Sequence, residues 1–245
     1  MLIEFVGMPG SGKSTLAETL RRELESRGYA TSSVNAPIAR LSSGRHRMIK
    51  RIALAGQFAA RHPTATMRAV FHLARARQRR LSELRTVILN LLSKCELVRR
   101  SSNIGDIVHI SDEGVLHALW SGAYGATHPD PGRFMDMVNA LLGVVPVPDV
   151  ILMVDAPDSM IVDRLMQDPR RNRLGQDVAR DGDRALGAAR SAMALVERVL
   201  HAASYNDNSL ILRISNDTVS ALSTATTQAV DEIEREMTQS TRRTA

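Results

Sequence analysis

Leu2-Ile3-Glu4-Phe5-Val6 runs directly into Gly7-Met8-Pro9-Gly10-Ser11-Gly12-Lys13-Ser14, and Thr15 opens a stretch with leucines at 16, 20 and 24 before Gly28. A short apolar run, a glycine-rich octet and a four-residue leucine spacing predict strand, loop and helix in that order. The octet fits G-x-x-x-x-G-K-[ST] in full. Glycines at 7, 10 and 12 let the backbone turn with its N–H groups inward, which makes an anion-binding concavity closed by the positive end of the following helix. In such a loop the lysine, here Lys13, reaches β and γ phosphates, and the hydroxyl of Ser14 coordinates Mg2+.

Working outward, four further apolar or β-branched runs are strand candidates: Ala30 to Val34, Ile107 to Ile110, Val150 to Val154 and Leu210 to Ile214. Helical periodicity separates successive runs, the pattern of a parallel sheet covered on both faces. Residues 37–104 are too many for a simple crossover and read as an inserted segment of two or three helices within a single domain spanning 1–245. In its best helix Leu81, Leu84, Ile88, Leu91 and Cys95 recur every three or four residues, widened by Val87 and Leu92. Pro63 breaks the stretch before it, and a helix carrying Met67, Val70, Phe71 and Ala74 is expected from Thr64.

The 245 residues, 44% of them apolar, suffice for a continuous core and exclude intrinsic disorder. A single cysteine, Cys95, excludes an internal disulfide, and its place on an apolar helical stripe marks it as a core thiol. No signal peptide is apparent, and the longest apolar run, Leu141 to Val154, carries Pro146, Pro148 and Asp149 and falls short of the ~20 residues of a membrane span. A cytoplasmic protein is expected. The net charge of +6 is local: Arg40 to Arg100 holds 15 basic residues against Glu83 and Glu96. Such a segment attracts phosphate-bearing partners, whether nucleotides, phosphorylated metabolites, nucleic acid or acidic lipid.

The third strand run ends in Ser111-Asp112-Glu113-Gly114. Acids at a strand's carboxyl edge face the ligand crevice of an open α/β sheet. Asp112 is placed to join a Mg2+ shell with Ser14 or to accept a proton from a reacting hydroxyl, and Glu113 is the second candidate for the same work. A lone histidine such as His117, four residues on, is more often structural. After the fourth run, a helix through Met160, Val162 and Leu165 breaks at Asp168-Pro169, and Arg170, Arg171 and Arg173 follow. Arginines on a segment that closes over a γ-phosphate stabilise the spread charge of phosphoryl transfer, so 168–184 reads as a lid.

Together, the strand-loop-helix at the amino terminus, the acid pair, the Pro148-Asp149-strand-Asp155-Ala156 block, the arginine lid and the last strand with Ser215-Asn216-Asp217 resemble the P-loop nucleoside and nucleotide kinases, thymidylate-kinase-like in particular. The resemblance implies a three-layer α/β P-loop NTPase fold with a five-stranded parallel sheet in the order 2-3-1-4-5. It further implies ATP held by residues 7–15 with Asn216 near the adenine, Mg2+ at Ser14 and Asp112, and Lys13, Asp112, Glu113, Arg170, Arg171 and Arg173 in catalysis. The chain departs from the family where an arginine usually follows the strand-three acid: it has Asp112-Glu113-Gly114. Arg40, Arg45 or Arg47 of the insertion are candidates to replace that arginine.

The expected activity is ATP-dependent phosphoryl transfer to a hydroxyl or phosphate of a small, nucleoside-like or otherwise anionic acceptor, with a homodimer left open. Two rivals keep the same cradle: a regulatory P-loop ATPase whose basic helices bind nucleic acid or a protein, and a polynucleotide kinase. Scarce aromatic residues in the basic segment disfavour single-stranded nucleic acid as partner.

Overall fold

The computed structural model describes residues 1–102, 107–167, 172–201, 209–217 and 226–235. Five strands, β1 (Leu2–Val6), β2 (Thr31–Ser33), β3 (Val108–Ser111), β4 (Val150–Asp155) and β5 (Leu210–Ser215), form one sheet in the order β2-β3-β1-β4-β5. Every pairing is parallel. β1 is therefore central, with β3 on one side and β4 on the other, and the loop leaving it lies where the connections change direction, the usual crevice of an open α/β sheet.

Strand alternation divides the core. Ile3 and Phe5 face α1 (Lys13–Ser26) through Leu16, Leu20 and Leu24, together with a helical segment at 226–235. Leu2 and Val6 face a larger cluster on the other side. That cluster is built by the helices of the insertion, by α6 (Val115–Gly125) and α7 (Pro131–Leu142) after β3, and by α8 (Asp158–Gln167), α9 (Arg173–Val178) and α10 (Gly182–Leu200) after β4. Burial on both faces is why β1 and β4 read as nearly unbroken apolar runs.

The insertion holds four helices where two or three are expected, the extra one a single turn: α2 (Ala36–Ala39), α3 (Gly44–Arg61), α4 (Pro63–Arg75) and α5 (Leu81–Ser101). Pro63 occupies the first turn of α4, where its missing N–H costs nothing. Two apolar stripes differ from expectation. On α4 the buried residues are Ala65, Ala69 and Leu73, while Met67 and Phe71 are exposed. The alanines allow α4 to lie close against α7, and the bulkier side chains stay outside. On α5 the buried face comprises Val87, Leu91, Leu92 and Cys95, with Leu84 and Ile88 half-buried; Leu81, at the first position, projects beyond the packed region. Cys95 is wholly buried, as the stripe requires, and burial pushes its thiol far above the usual range.

One buried acid has no counterpart in the sequence pattern. Glu96 on α5 is fully enclosed and receives Arg61 of α3 at 2.7 Å, Arg99 at 2.9 Å and Arg100 at 2.9 Å. Burial alone would raise its carboxyl, but hydrogen bonds from Arg99 and Arg100 hold it down at about 2.

Candidate active site

The loop between β1 and α1 is shaped by close approach. A Cβ on Gly7 would collide with the carbonyl oxygen of Val154 on β4, and Gly12, at φ 97°, abuts the Asn216 side-chain amide. Around this loop, Asn216 donates its Nδ2 to Ser11 O at 2.7 Å, and Arg164 on α8 donates to Gly10 O at 3.1 Å. Two elements after β4 thus hold the outer side of the cradle. Lys13 is turned back onto the loop, donating to Gly7 O and Met8 O at 2.8 Å each. Burial lowers its ammonium to about 8, an effect moderated by Glu113 and Asp112. The buried Ser11 hydroxyl has no partner among the described residues.

At the inner side, Ser14 donates its hydroxyl to Asp112 Oδ2 at 3.1 Å. The other oxygen, Oδ1, accepts from Asn35 Nδ2 at 2.9 Å, and Asn35 Oδ1 in turn accepts from Lys94 Nζ at 2.6 Å. A continuous chain Ser14–Asp112–Asn35–Lys94 therefore ties the cradle to the ends of β3 and β2 and to helix α5. Lys94 is pulled below its ordinary pKa by burial, against the attraction of Glu113, Asp112 and Glu4. Glu4, on β1, lies beneath them, almost fully buried, and accepts from Leu116 N at 2.6 Å. Burial raises its carboxyl to about 7. Gly114 is required there, because a Cβ would run into the Glu4 carboxylate.

His117, half-buried near the start of α6, sits against the cradle loop. Its ring hydrogen-bonds the Gly7 backbone, and burial together with Lys13 and Lys94 pushes it down to about 3, so the imidazole is neutral. It begins a stack along α6: His117 on Trp120 at 5.5 Å, and Trp120 on Tyr124 at 5.3 Å. At the far end Arg79 and Arg173 lie over the Tyr124 ring, whose hydroxyl donates to Asp177.

The arginines expected to form a lid divide. Arg170 and Arg171 lie outside the described residues. Arg173 opens α9 and pairs with Glu83 of α5 at 3.0 Å. Of the other expected residues, Gly7, Met8, Pro9, Gly10, Ser11, Gly12, Lys13 and Ser14 form the cradle, Thr15 follows exposed on α1, and Asn216 seats against it. Asp112 reaches it through Ser14, with Glu113 exposing its backbone carbonyl to Asn35 at 3.3 Å. Sequence reading missed Asn35, Lys94 and Glu4 as members of the site, and missed the contact of Arg164 with the loop. Beside the cradle runs a cleft of about 300 Å3, lined by Gly7, Met8, Asp155, Arg190, Arg213 and Ser215.

These features fit a nucleotide triphosphate tail. The loop concavity, the unpartnered Ser11 hydroxyl and an ammonium satisfied only by loop carbonyls are groups that phosphate oxygens would engage. A hydroxyl and a carboxylate 3.1 Å apart at Ser14 and Asp112 also fit Mg2+, which typically takes one or two protein ligands beside waters and substrate phosphates. Among the described residues no cluster of three or more His, Cys, Asp or Glu side chains forms an all-protein metal cage.

The sheet order, the layers and the glycine-rich loop define the fold of the P-loop nucleoside and nucleotide kinases. Among solved structures, the chain is similar to a deoxyadenosine kinase from M. mycoides with dCMP and dCDP bound, at 12% identity and TM-score 0.54, covering 96% of this chain and all of that one. It is also similar to thymidylate kinase from Candida albicans, at 17% identity and TM-score 0.54, covering 96% and 92%. The M. mycoides enzyme with dATP bound aligns over the same share of this chain at 13% identity and TM-score 0.51. At these identities the likeness concerns the fold. No protein-family model and no curated protein sequence matches the chain.

Proposed function

We propose that this protein is an ATP-dependent kinase that transfers the γ-phosphoryl group to a hydroxyl or phosphate of a small, nucleoside-like or anionic acceptor. The observation that carries this reading is the hydrogen bond from Ser14 to Asp112, which joins the phosphate cradle to the acid at the end of β3 across 98 residues of sequence. In the proposed reaction Lys13 leaves the loop carbonyls and neutralises β and γ oxygens. Asp112, with Glu113 beside it, receives the acceptor's proton or fixes the metal's water shell. Mg2+, when bound at Ser14 and Asp112, would supply charge neutralisation on the phosphates. Arg164 keeps the loop in shape, and Arg170, Arg171 and Arg173 act as lid arginines, the last only after release from Glu83.

A screen of nucleosides, nucleotides and phosphorylated metabolites for acceptor-stimulated ADP release tests the proposal. Slow ATP hydrolysis that accelerates with one acceptor, yielding a phosphorylated product absent with Lys13→Met, is the expected result. Hydrolysis stimulated by a macromolecule with no phosphorylated product would instead support a regulatory ATPase.

A further inference from the structure

The charge of the insertion is more one-sided than its total indicates. Between Glu25 and Glu83 no acid occurs, while 12 lysines and arginines do. The same stretch carries six of the seven large apolar side chains exposed among the described residues: Met48, Ile49, Ile52, Met67, Phe71 and Leu81, between 39% and 83% exposed. On α3 the apolar residues form a face. Leu54, Ala55 and Phe58 are buried, and on the opposite side Ile49, Ile52, Ala53, Gly56 and Ala60 are exposed, with Arg45 at the amino-terminal end. α4 repeats the arrangement, with Met67, Arg68 and Phe71 outward. Arg45, Lys50 and Arg68 have no ion-pair partner among the described residues, and the proposed chemistry does not use the outer faces of α3 and α4; Arg51 is on the inner side of α3, toward Lys94.

Charge complementarity decides what covers these faces. A second copy applied through the same acid-free surface would set arginine against arginine, so self-association is disfavoured. A single-stranded nucleic acid would match the charge, but its binding rests on stacking platforms, and five of the six exposed side chains are aliphatic or thioether; a duplex, held through its phosphates, would leave those apolar side chains uncovered. The sixth, Phe71, already carries the Arg75 guanidinium 5.2 Å from its ring centre. Aliphatic side chains set among unpaired cations suit an acidic lipid surface, where the former enter the headgroup–acyl boundary and the latter engage phosphates. We infer that the outer faces of α3 and α4 dock the protein peripherally on an anionic lipid bilayer. Among the described residues no helix is long and apolar enough to cross a membrane; the docking inferred is of the two outer helix faces on the bilayer surface.

Co-sedimentation of the full chain with vesicles tests this. Phosphatidylcholine vesicles should leave the protein in solution, while vesicles with about one part phosphatidylglycerol in three should bind it, less tightly as salt rises. Ile49→Asp combined with Ile52→Asp should lower the partition coefficient by about tenfold or more. A thermal melt and the affinity for AMP-PNP report whether that variant is folded; should it fail to fold, Met67→Asp, at a site 71% exposed, serves the same purpose. Equal partition into neutral and anionic vesicles, or anionic binding unaffected by folded aspartate variants, would overturn the inference. So would a concentration-dependent dimer that the variants dissolve, or an oligonucleotide bound more tightly than the vesicles. Because AMP-PNP affinity is measured separately, failure of the kinase reading and failure of lipid docking give different results.

Discussion

Lys94 is one of three lysines in a chain with 29 arginines, and its ammonium can only donate. By taking Asn35 Oδ1 at 2.6 Å it fixes which way the amide faces, and Nδ2 is left pointing at Asp112. The carboxylate then has one oxygen committed to Asn35 and the other to Ser14, an orientation that a free aspartate would not keep. Lys94→Met should therefore reduce acceptor-dependent kcat by about tenfold through lost preorganisation while AMP-PNP affinity stays within about twofold. Lys94→Arg should restore part of the rate, and an equal loss with both variants would assign Lys94 to packing alone. Glu4 beneath it gives a second residue-level expectation. Its carboxyl is raised to about 7 against an ordinary 4.5, so the folded state holds a proton that the unfolded chain has released. That contribution is complete below about pH 4.5 and is lost as pH rises through 7, by roughly 3 kcal/mol. Glu4→Gln keeps an acceptor for Leu116 N and cannot ionise, so urea unfolding compared at pH 5 and pH 8 should show a smaller decline than in the parent protein.

At the scale of elements, α3 and α5 are joined through Glu96, whose burial is tolerable only because three arginines surround it. The arginines are themselves a quarter to a half exposed, so solvent screens part of the attraction. Glu96→Gln should destabilise the fold by about 2 kcal/mol, below the full range for breaking a buried ion pair. Because the carboxyl is depressed to about 2, its stabilisation is present above pH 4.5 and fades as pH falls toward 2; the variant should show a shallower acid transition by circular dichroism. The difference between helices and strands in sequence legibility has the same physical root. β1 and β4, enclosed on both faces, announce themselves as apolar runs, and their observed ends fall within a residue of the expected ones. The helices of the insertion pack by small residues and ion pairs, so α4 turns Ala65 and Ala69 inward where a rule of bulk chooses Met67 and Phe71. The site follows suit. Its cradle is contiguous and therefore readable, as is the acid at the end of β3. Asn35 and Lys94 join it from 77 residues before Asp112 and 59 residues after Asn35, and only the parallel pairing of β2 on β3 with α5 packed above brings them together.

For the whole molecule, the cradle is a place where stability and function are set against each other. Lys13 is buried at 6% exposure with its ammonium lowered to about 8, and the two loop carbonyls compensate only partly for lost hydration. The sign follows: the buried charge weighs on the fold below about pH 8, and this burden lifts as pH rises from there toward 10.5. A triphosphate tail would supply the missing counter-charge, and anything that binds only the native state raises its stability. At a hundredfold excess over Kd the gain is about 2.7 kcal/mol, or roughly 5–10 °C in Tm for a chain of this size. Thermal melts of the parent protein with and without Mg·AMP-PNP should show that shift. Lys13→Met removes the buried charge at similar volume, so without nucleotide it should melt no lower than the parent, and with nucleotide its shift should largely vanish. A variant that melts lower yet keeps its nucleotide shift would mean that Lys13 braces the loop and that the phosphates are held by backbone N–H groups alone.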